Sequence, residues 1–285
     1  MEIKNFIVPV DFSEESLKGL ELALLFSKRT YVNIQLVYVL KKIPDQFPSN
    51  IEAEEAYAEK AFGKILEKYS PLLENESRLR FIVKKGKVYQ EVVNQAQSYK
   101  DSIITASTHG TSGFEEFFIG SNAYKIISAT DRPVMTLRKG DCPATISKIV
   151  LPIDLRDDTR QKVPFTAELA QLFDAEVHIV SLNTIKDEKA VNRLRAYTNQ
   201  VAGYLTGKVK YTTDEVFGEN PADMAVDYAK SKNADLIVIM TDQSSGISLI
   251  LGNFAHQLIN KSDIPVLSIT PKEIRTPLSF STFGG

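Results

Sequence analysis

Residues 6–11 read Phe6-Ile7-Val8-Pro9-Val10-Asp11, and residues 149–154 read Ile149-Val150-Leu151-Pro152-Ile153-Asp154. Both are short β-branched apolar runs, interrupted by proline and closed by an aspartate. Two further pairs follow in the same order. Ser102-Ile103-Ile104-Thr105-Ala106 matches Asp235-Leu236-Ile237-Val238-Ile239, and Asp131-Arg132-Pro133-Val134-Met135-Thr136-Leu137 matches Asp263-Ile264-Pro265-Val266-Leu267-Ser268-Ile269. Three matched strands in one order mark an internal duplication. A chain of 285 residues accommodates two domains of about 140 residues each.

Outward from these runs, apolar strands alternate with helical stretches. Leu17, Leu20, Leu24 and Ser27 fall on one side of a helix over 17–28. Residues 33–40 read as a buried strand and 53–69 as a second amphipathic helix. A strand over 80–83, a turn at Gly86 and a helix over 88–98 follow. The strand at 102–106, a helix over about 121–129 and a strand at 134–138 complete the unit. The alternation predicts an α/β fold with a doubly wound parallel sheet, because parallel strands need right-handed helical crossovers. The second half repeats the pattern, with Pro221 opening its third helix. The expected division is 1–140, a linker at 139–145, 146–271, and an aperiodic Ser/Phe/Gly-rich tail over 272–285.

Composition narrows the function classes. The 43% hydrophobic and 25% charged content is that of a soluble globular protein. A net charge of -2 leaves no cationic excess for neutralising phosphates, which argues against nucleic acid as the main partner. The N-terminal apolar run carries Glu2 and meets Asp11 early, unlike a signal peptide or a membrane span. The single cysteine, Cys142, forms no intrachain disulfide, so a reducing cytoplasmic location is expected.

In a doubly wound sheet, ligands bind beyond the carboxyl ends of the strands, where the strand order reverses. After the first strand stands Asp11-Phe12-Ser13-Glu14-Glu15-Ser16. Asp11 either accepts from a ligand hydroxyl or amine, or joins Ser13 in capping the next helix. After the fourth strand come Ser107-Thr108-His109-Gly110-Thr111-Ser112-Gly113 and then Gly120-Ser121-Asn122. Small residues there let backbone N–H groups turn inward at a helix N-terminus, which suits a polyphosphate. The simpler reading is a glycine-punctuated loop with Ser121 as a helix cap.

These residues resemble the universal stress protein family, which carries Gly-x2-Gly-x9-Gly-Ser/Thr after its fourth strand and an aspartate ending its first. Gly110, Gly120 and Ser121 match, Asp11 matches, and Ser107 replaces the first glycine. The similarity spans nearly all of 1–139 and 148–270. It implies an adenine-nucleotide α-hydrolase-like fold with five strands in the order 3-2-1-4-5. It also implies ATP, with Mg2+ as companion, held by Asp11, Ser13, Val39, Ser107, His109, Gly110, Gly113, Gly120, Ser121 and Asn122. If position 107 requires a positive φ, serine there costs roughly 1–2 kcal/mol. The family's pairing through the fifth strand implies an intrachain pseudo-dimer covering two apolar edges; a further homodimer of the chain is compatible with this.

The second half departs from the pattern. Met240 and Gln243 stand at the two leading glycines, Asn253 replaces the serine, Asp242 adds a negative charge, and Arg156-Asp157-Asp158 follows Asp154. This half is expected not to hold ATP in the family manner. His109, His178 and His256 show no metal-ligand spacing, and no Gly-x4-Gly-Lys-Ser/Thr loop or Gly-x-Ser-x-Gly elbow occurs. No catalytic residue and no metal ligand is therefore assigned. The leading reading is a nucleotide-binding stress-response sensor or switch. The others are an interaction scaffold without nucleotide and, least supported, a hydrolase, whose pyrophosphate-loop glycines are missing from Pro9-Val10-Asp11-Phe12-Ser13.

Overall fold

A computed structural model of the chain describes residues 3–41, 48–108, 121–185, 187–241 and 251–271. The first repeat contains strands β1 (Asn5–Pro9), β2 (Asn33–Lys41), β3 (Arg78–Gly86), β4 (Ser102–Ser107) and β5 (Val134–Leu137). Helices α1 (Glu14–Ser27), α2 (Pro48–Tyr69), α3 (Val88–Gln97) and α4 (Ser121–Ala129) connect them. The second repeat contributes β6 (Lys148–Ile153), β7 (Glu176–Asn183), β8 (Tyr211–Phe217), β9 (Leu236–Met240) and β10 (Val266–Ile269). Its helices are α5 (Val163–Phe173), α6 (Glu188–Leu205), α7 (Pro221–Ser231) and α8 (Asn253–Lys261). The tail assigned to 272–285 lies outside the described residues.

All ten strands join one sheet in the order β3-β2-β1-β4-β5-β10-β9-β6-β7-β8. Each repeat is thus wound 3-2-1-4-5, as expected. Every pairing within a repeat is parallel, whereas β5 and β10 meet antiparallel, with Val134 opposite Ser268 and Thr136 opposite Val266. The apolar edge strands thereby satisfy each other's backbone groups.

Local chemistry sets the helix boundaries. Ser13 caps α1 by accepting from Ser16 N, with Glu14 and Glu15 in the first turn facing the positive end of the helix dipole. Asp187 and Asn220 cap α6 and α7 in the same way. Helix α2 starts five residues before the periodic pattern, at Pro48, whose fixed φ suits a first helical turn.

One apolar layer lies on each face of the sheet, and both cross from one repeat into the other. Helix α1 shows why. Leu20, Leu24 and Ser27 are buried as the periodicity predicts, but Leu22, Leu25 and Phe26 are buried as well. One side packs on the sheet so closely that a Cβ on Gly19 would lie 2.6 Å from the Thr105 carbonyl oxygen. Toward the second repeat, Phe26 meets Phe173 of α5 edge-on at 5.1 Å. The basic residues of α1 hold the connecting segment: Lys18 donates to the Gly140 carbonyl, Lys28 to that of Ala144, and Arg29 to Thr145. Within this segment Cys142 is partly buried, and burial raises its thiol pKa to about 12. No helix among the described residues is long and apolar enough to cross a membrane.

Candidate functional site

The strand order reverses between β1 and β4, and the first-repeat candidates gather at the carboxyl ends of these strands. Asp11 is exposed two residues beyond β1. Its Oδ1 accepts from Ser13 N at 3.1 Å and from Ser13 Oγ at 2.5 Å. Ser13 Oγ in turn accepts from Ser16 N at 3.2 Å, while Ser16 Oγ donates to the Ser13 carbonyl at 2.8 Å. The capping geometry is therefore formed, and it holds the carboxylate at the mouth of the crevice. Continuing the β1–β2 pairing beyond Pro9 and Val37 brings Val39 level with Asp11. Val39 is buried and provides an apolar wall.

Between Asp11 and Ser13, Phe12 adopts a left-handed conformation with φ 67°. Its ring packs on Tyr38 at 4.6 Å, Phe62 at 5.0 Å and Tyr57 at 5.9 Å. The aromatic contacts support a backbone geometry that is unfavourable for a β-carbon-bearing residue. Tyr38 also donates to Glu54 Oε1 at 3.1 Å, and burial together with this acid raises its pKa to about 12. No sequence signal separated Phe12 and Tyr38 from ordinary core aromatics.

Ser107 ends β4 opposite Leu137, and Thr108 N donates to the Leu137 carbonyl at 3.1 Å. Ser107 is not among the residues with positive φ. The backbone cost considered for a serine at this position does not arise, because the strand continues through it. Ser121 opens α4 and Asn122 is exposed in its first turn. His109, Gly110, Gly113 and Gly120 lie outside the described residues.

The corresponding place in the second repeat is organised differently. Arg156 Nε donates to Asp154 Oδ2 at 2.9 Å, its NH2 lies 2.8 Å from the same oxygen, and its backbone N donates to Oδ1 at 3.0 Å. The guanidinium stands 5.5 Å from the ring centre of Phe254, in the first turn of α8. It thus bridges the end of β6 to the start of α8. A 3-10 turn over Asp157–Arg160 replaces the first turn seen in α1.

Beneath this turn lies Lys162, at the position equivalent to Gly19, with 1% exposure. Its ammonium donates to the Thr159 carbonyl at 2.7 Å and to Thr159 Oγ1 at 3.1 Å. Burial lowers its pKa to about 8 against the opposing pull of Asp154. Nothing in the residue pattern marks a buried lysine, since lysine is ordinarily a surface residue. Residues 242–250, including Asp242 and Gln243, lie outside the described residues.

The two described histidines, His178 and His256, stay apart. His178 is buried in β7, where its Nδ1 shares a 2.9 Å hydrogen bond with Thr212. Burial lowers its pKa. His256 sits on α8 with its ring against Tyr124, 5.7 Å between centroids. Among the described residues, no group of three or more His, Cys, Asp or Glu side chains is placed to hold a metal ion.

Comparison with known proteins places this architecture. The sequence pattern of the Universal stress protein family matches residues 2–138 and again residues 145–269. A universal stress protein of Methanocaldococcus jannaschii is 30% identical over 138 residues, 43% of this chain and 81% of that protein. One from Synechocystis is 26% identical over 171 residues, 59% of this chain and 57% of its own length. Among solved structures, a universal stress protein from Archaeoglobus fulgidus superposes with a TM-score of 0.76 at 18% identity, covering 95% of this chain and 98% of its own. One described as a putative universal stress protein from Pseudomonas aeruginosa gives 0.64 at 18% identity, with 94% of each chain covered. Two matched segments, each wound 3-2-1-4-5, together make the chain a tandem member of the universal stress protein family.

Proposed function

We propose that the first repeat binds an adenine nucleotide, ATP with Mg2+, and that the protein acts in stress response as a sensor or switch, not as a catalyst. The observation that carries this reading is the contrast between the two aspartates. Asp11 is exposed at the point of strand reversal, whereas Asp154 is held by its own Arg156. The first-repeat residues fit the nucleoside end of such a ligand. Asp11 is an acceptor for ribose or base donors, Val39 is an apolar contact, and Ser107 and Thr108 stand at the adjacent strand end. Asn122 and Ser121 open the helix whose N-terminus favours phosphate. His109, Gly110, Gly113 and Gly120 would complete the cradle. Bound nucleotide brings a polyanion and a divalent cation, and the chain's own part is to hold and orient them.

In this reading the repeats act as domains over 1–140 and 146–271, and the β5–β10 junction is an internal pseudo-dimer. Isothermal titration of the full chain with ATP and magnesium tests the site. Saturable binding to one site per chain, weakened by Ser121→Ala, is expected. Absence of heat, together with no thermal shift by ATP in either form, would leave the scaffold reading. That second reading is favoured by one observation: the Asp11 carboxylate accepts from Ser13 N and Ser13 Oγ, as in a helix cap.

A further inference from the structure

At the other end of the first repeat's sheet, a cavity of about 240 Å³ opens among Asn5, Ile7, Tyr31, Asn33, Gln35, Arg78, Arg80 and Tyr99. Its floor is two rungs of three neighbouring strands. Asn5 pairs with Asn33 and Asn33 with Arg78; two residues on, Ile7 pairs with Gln35 and Gln35 with Arg80. Alternation along a strand puts both rungs on one face. Helix α3 ends at Gln97, and Tyr99 follows as part of the cavity wall.

The polar groups of this floor are ordered by one another. Tyr31 OH donates to Asn33 Oδ1 at 2.8 Å, Asn33 Nδ2 to Asn5 Oδ1 at 3.4 Å, and Asn5 Nδ2 to Asp101 Oδ1 at 3.0 Å. On the second rung, Gln95 Nε2 donates to Gln35 Oε1 at 2.6 Å, and Gln95 is only 8% exposed. These bonds engage the side-chain acceptor of each floor amide. The Gln35 NH2 group and the Arg78 and Arg80 guanidinium groups are donors, and among the described residues no carboxylate pairs with either arginine. Asp101 is the nearby counter-charge, and it is engaged by Asn5. A cavity whose acceptors are satisfied and whose donors include two cations is built for an acceptor.

The second repeat shows the same positions closed by internal pairing. Register puts Lys148, Glu176 and Lys210 on the first rung, and Val150, His178 and Thr212 on the second. Helix α7 supplies Tyr228 where α3 has Gln95, and Lys232 takes the place of Tyr99. Glu176 lies 3.6 Å from His178, and Lys232 lies 3.2 Å from Asp214, to which Tyr228 also donates. Lys148 Nζ donates to the Lys232 carbonyl at 3.0 Å. There Lys232 has Asp214 as its acid, whereas among the described residues no acid pairs with Arg78 or Arg80.

We propose that this cavity is a second ligand site, for a small organic molecule presenting a carboxylate or a phosphate to Arg78 and Arg80. Arginine donates in a planar fork that matches either oxyanion, and Tyr31 and Tyr99 flank the remainder of the ligand. The volume suits a small metabolite, below the roughly 300 Å³ at which drug-sized pockets begin.

Calorimetric titration of the full chain with succinate and, separately, with inorganic phosphate tests the proposal and distinguishes the two sources of the oxyanion. Saturable binding of at least one probe is expected, weakened about tenfold or more in Arg78→Gln/Arg80→Gln, since two charge-assisted bonds are lost. Both arginines are exposed, so the variant should keep the wild-type circular dichroism and melting midpoint without probe. Arg80→Gln alone provides the test should the double variant not fold. A crystal soaked in the binding probe should place its oxyanion against both guanidinium groups. No saturable binding of either probe up to about 10 mM, a range that covers weak sites, would overturn the proposal. So would equal affinity in wild type and variant, or density only elsewhere.

Discussion

The two repeats share a strand order, yet the residues after their first strands do opposite things. In the first, the Asp11 carboxylate is held by Ser13 of a helix cap and is exposed at the strand reversal. In the second, Asp154 is held by Arg156, whose guanidinium reaches across to Phe254. The helix behind differs too, because Gly19 lets α1 lie against β4 while Lys162 occupies the equivalent place. A duplicated fold keeps its sheet because the strand cores remain apolar. The crevice beyond the strands is built from a few residues that each repeat changes independently.

The widest separation between the repeats should appear in nucleotide binding. Asp11→Ala is expected to weaken ATP binding by about tenfold to a hundredfold, the loss typical of a hydrogen bond to a charged group. Asp154→Ala should leave ATP affinity unchanged and lower the urea midpoint, because Arg156 loses its carboxylate. Equal effects of the two substitutions on the ATP isotherm would erase the distinction.

The next test concerns the helix behind each crevice. Gly19→Ala places a methyl 2.6 Å from the Thr105 carbonyl oxygen. Overpacking of this kind costs about 1–3 kcal/mol, measurable by denaturant unfolding. A variant as stable as the wild type would show that α1 is not pressed onto the sheet.

A smaller effect belongs to Lys162. Its folded pKa of about 8 lies below the usual lysine value of about 10.4 in the unfolded chain. Below the folded value both states carry the proton and the burial penalty is present in full. As pH rises through that value the folded state releases its proton first, so stability rises until the unfolded chain titrates. Between about pH 7 and about pH 9 the gain should be about 1 kcal/mol. Lys162→Met should flatten this rise in urea midpoints, and Gly19→Ala should not.

Much of the architecture was legible in the residues themselves. The paired runs at 6–11 and 149–154 exposed the duplication, and short apolar runs and helical periodicity located most strands and helices. Boundaries moved where tertiary pairing extends an element. Strand β3 runs from Arg78 to Gly86 because β2 offers partners along its whole length, although four of its nine residues are charged. Helix α1 read as one-sided because local periodicity registers a single stripe, whereas Phe26 lies off that stripe and packs on Phe6 of β1 and on Phe173, 147 positions away.

At the candidate site, residue types at fixed spacing singled out Asp11, Ser13, Ser107 and Ser121, since charge and small size are local properties. The cap bonds of Ser13 followed from the same local rules. The inward turn of Phe12, the Arg156 bridge to α8 and the burial of Lys162 did not. Each depends on groups far along the chain that arrive beside it only when the sheet is assembled.

The amino-acid sequence by itself determined the doubling, the α/β alternation and the candidate loops, because these rest on short-range periodicity, hydrophobic burial and turn chemistry. Tertiary structure alone decided that ten strands form a single sheet joined by an antiparallel contact, that one aspartate faces the crevice while its counterpart is held, and that two arginines border a cavity among amides. Those outcomes depend on strand register and on long-range neighbours, and the energies of such contacts exist only once the chain has brought them together.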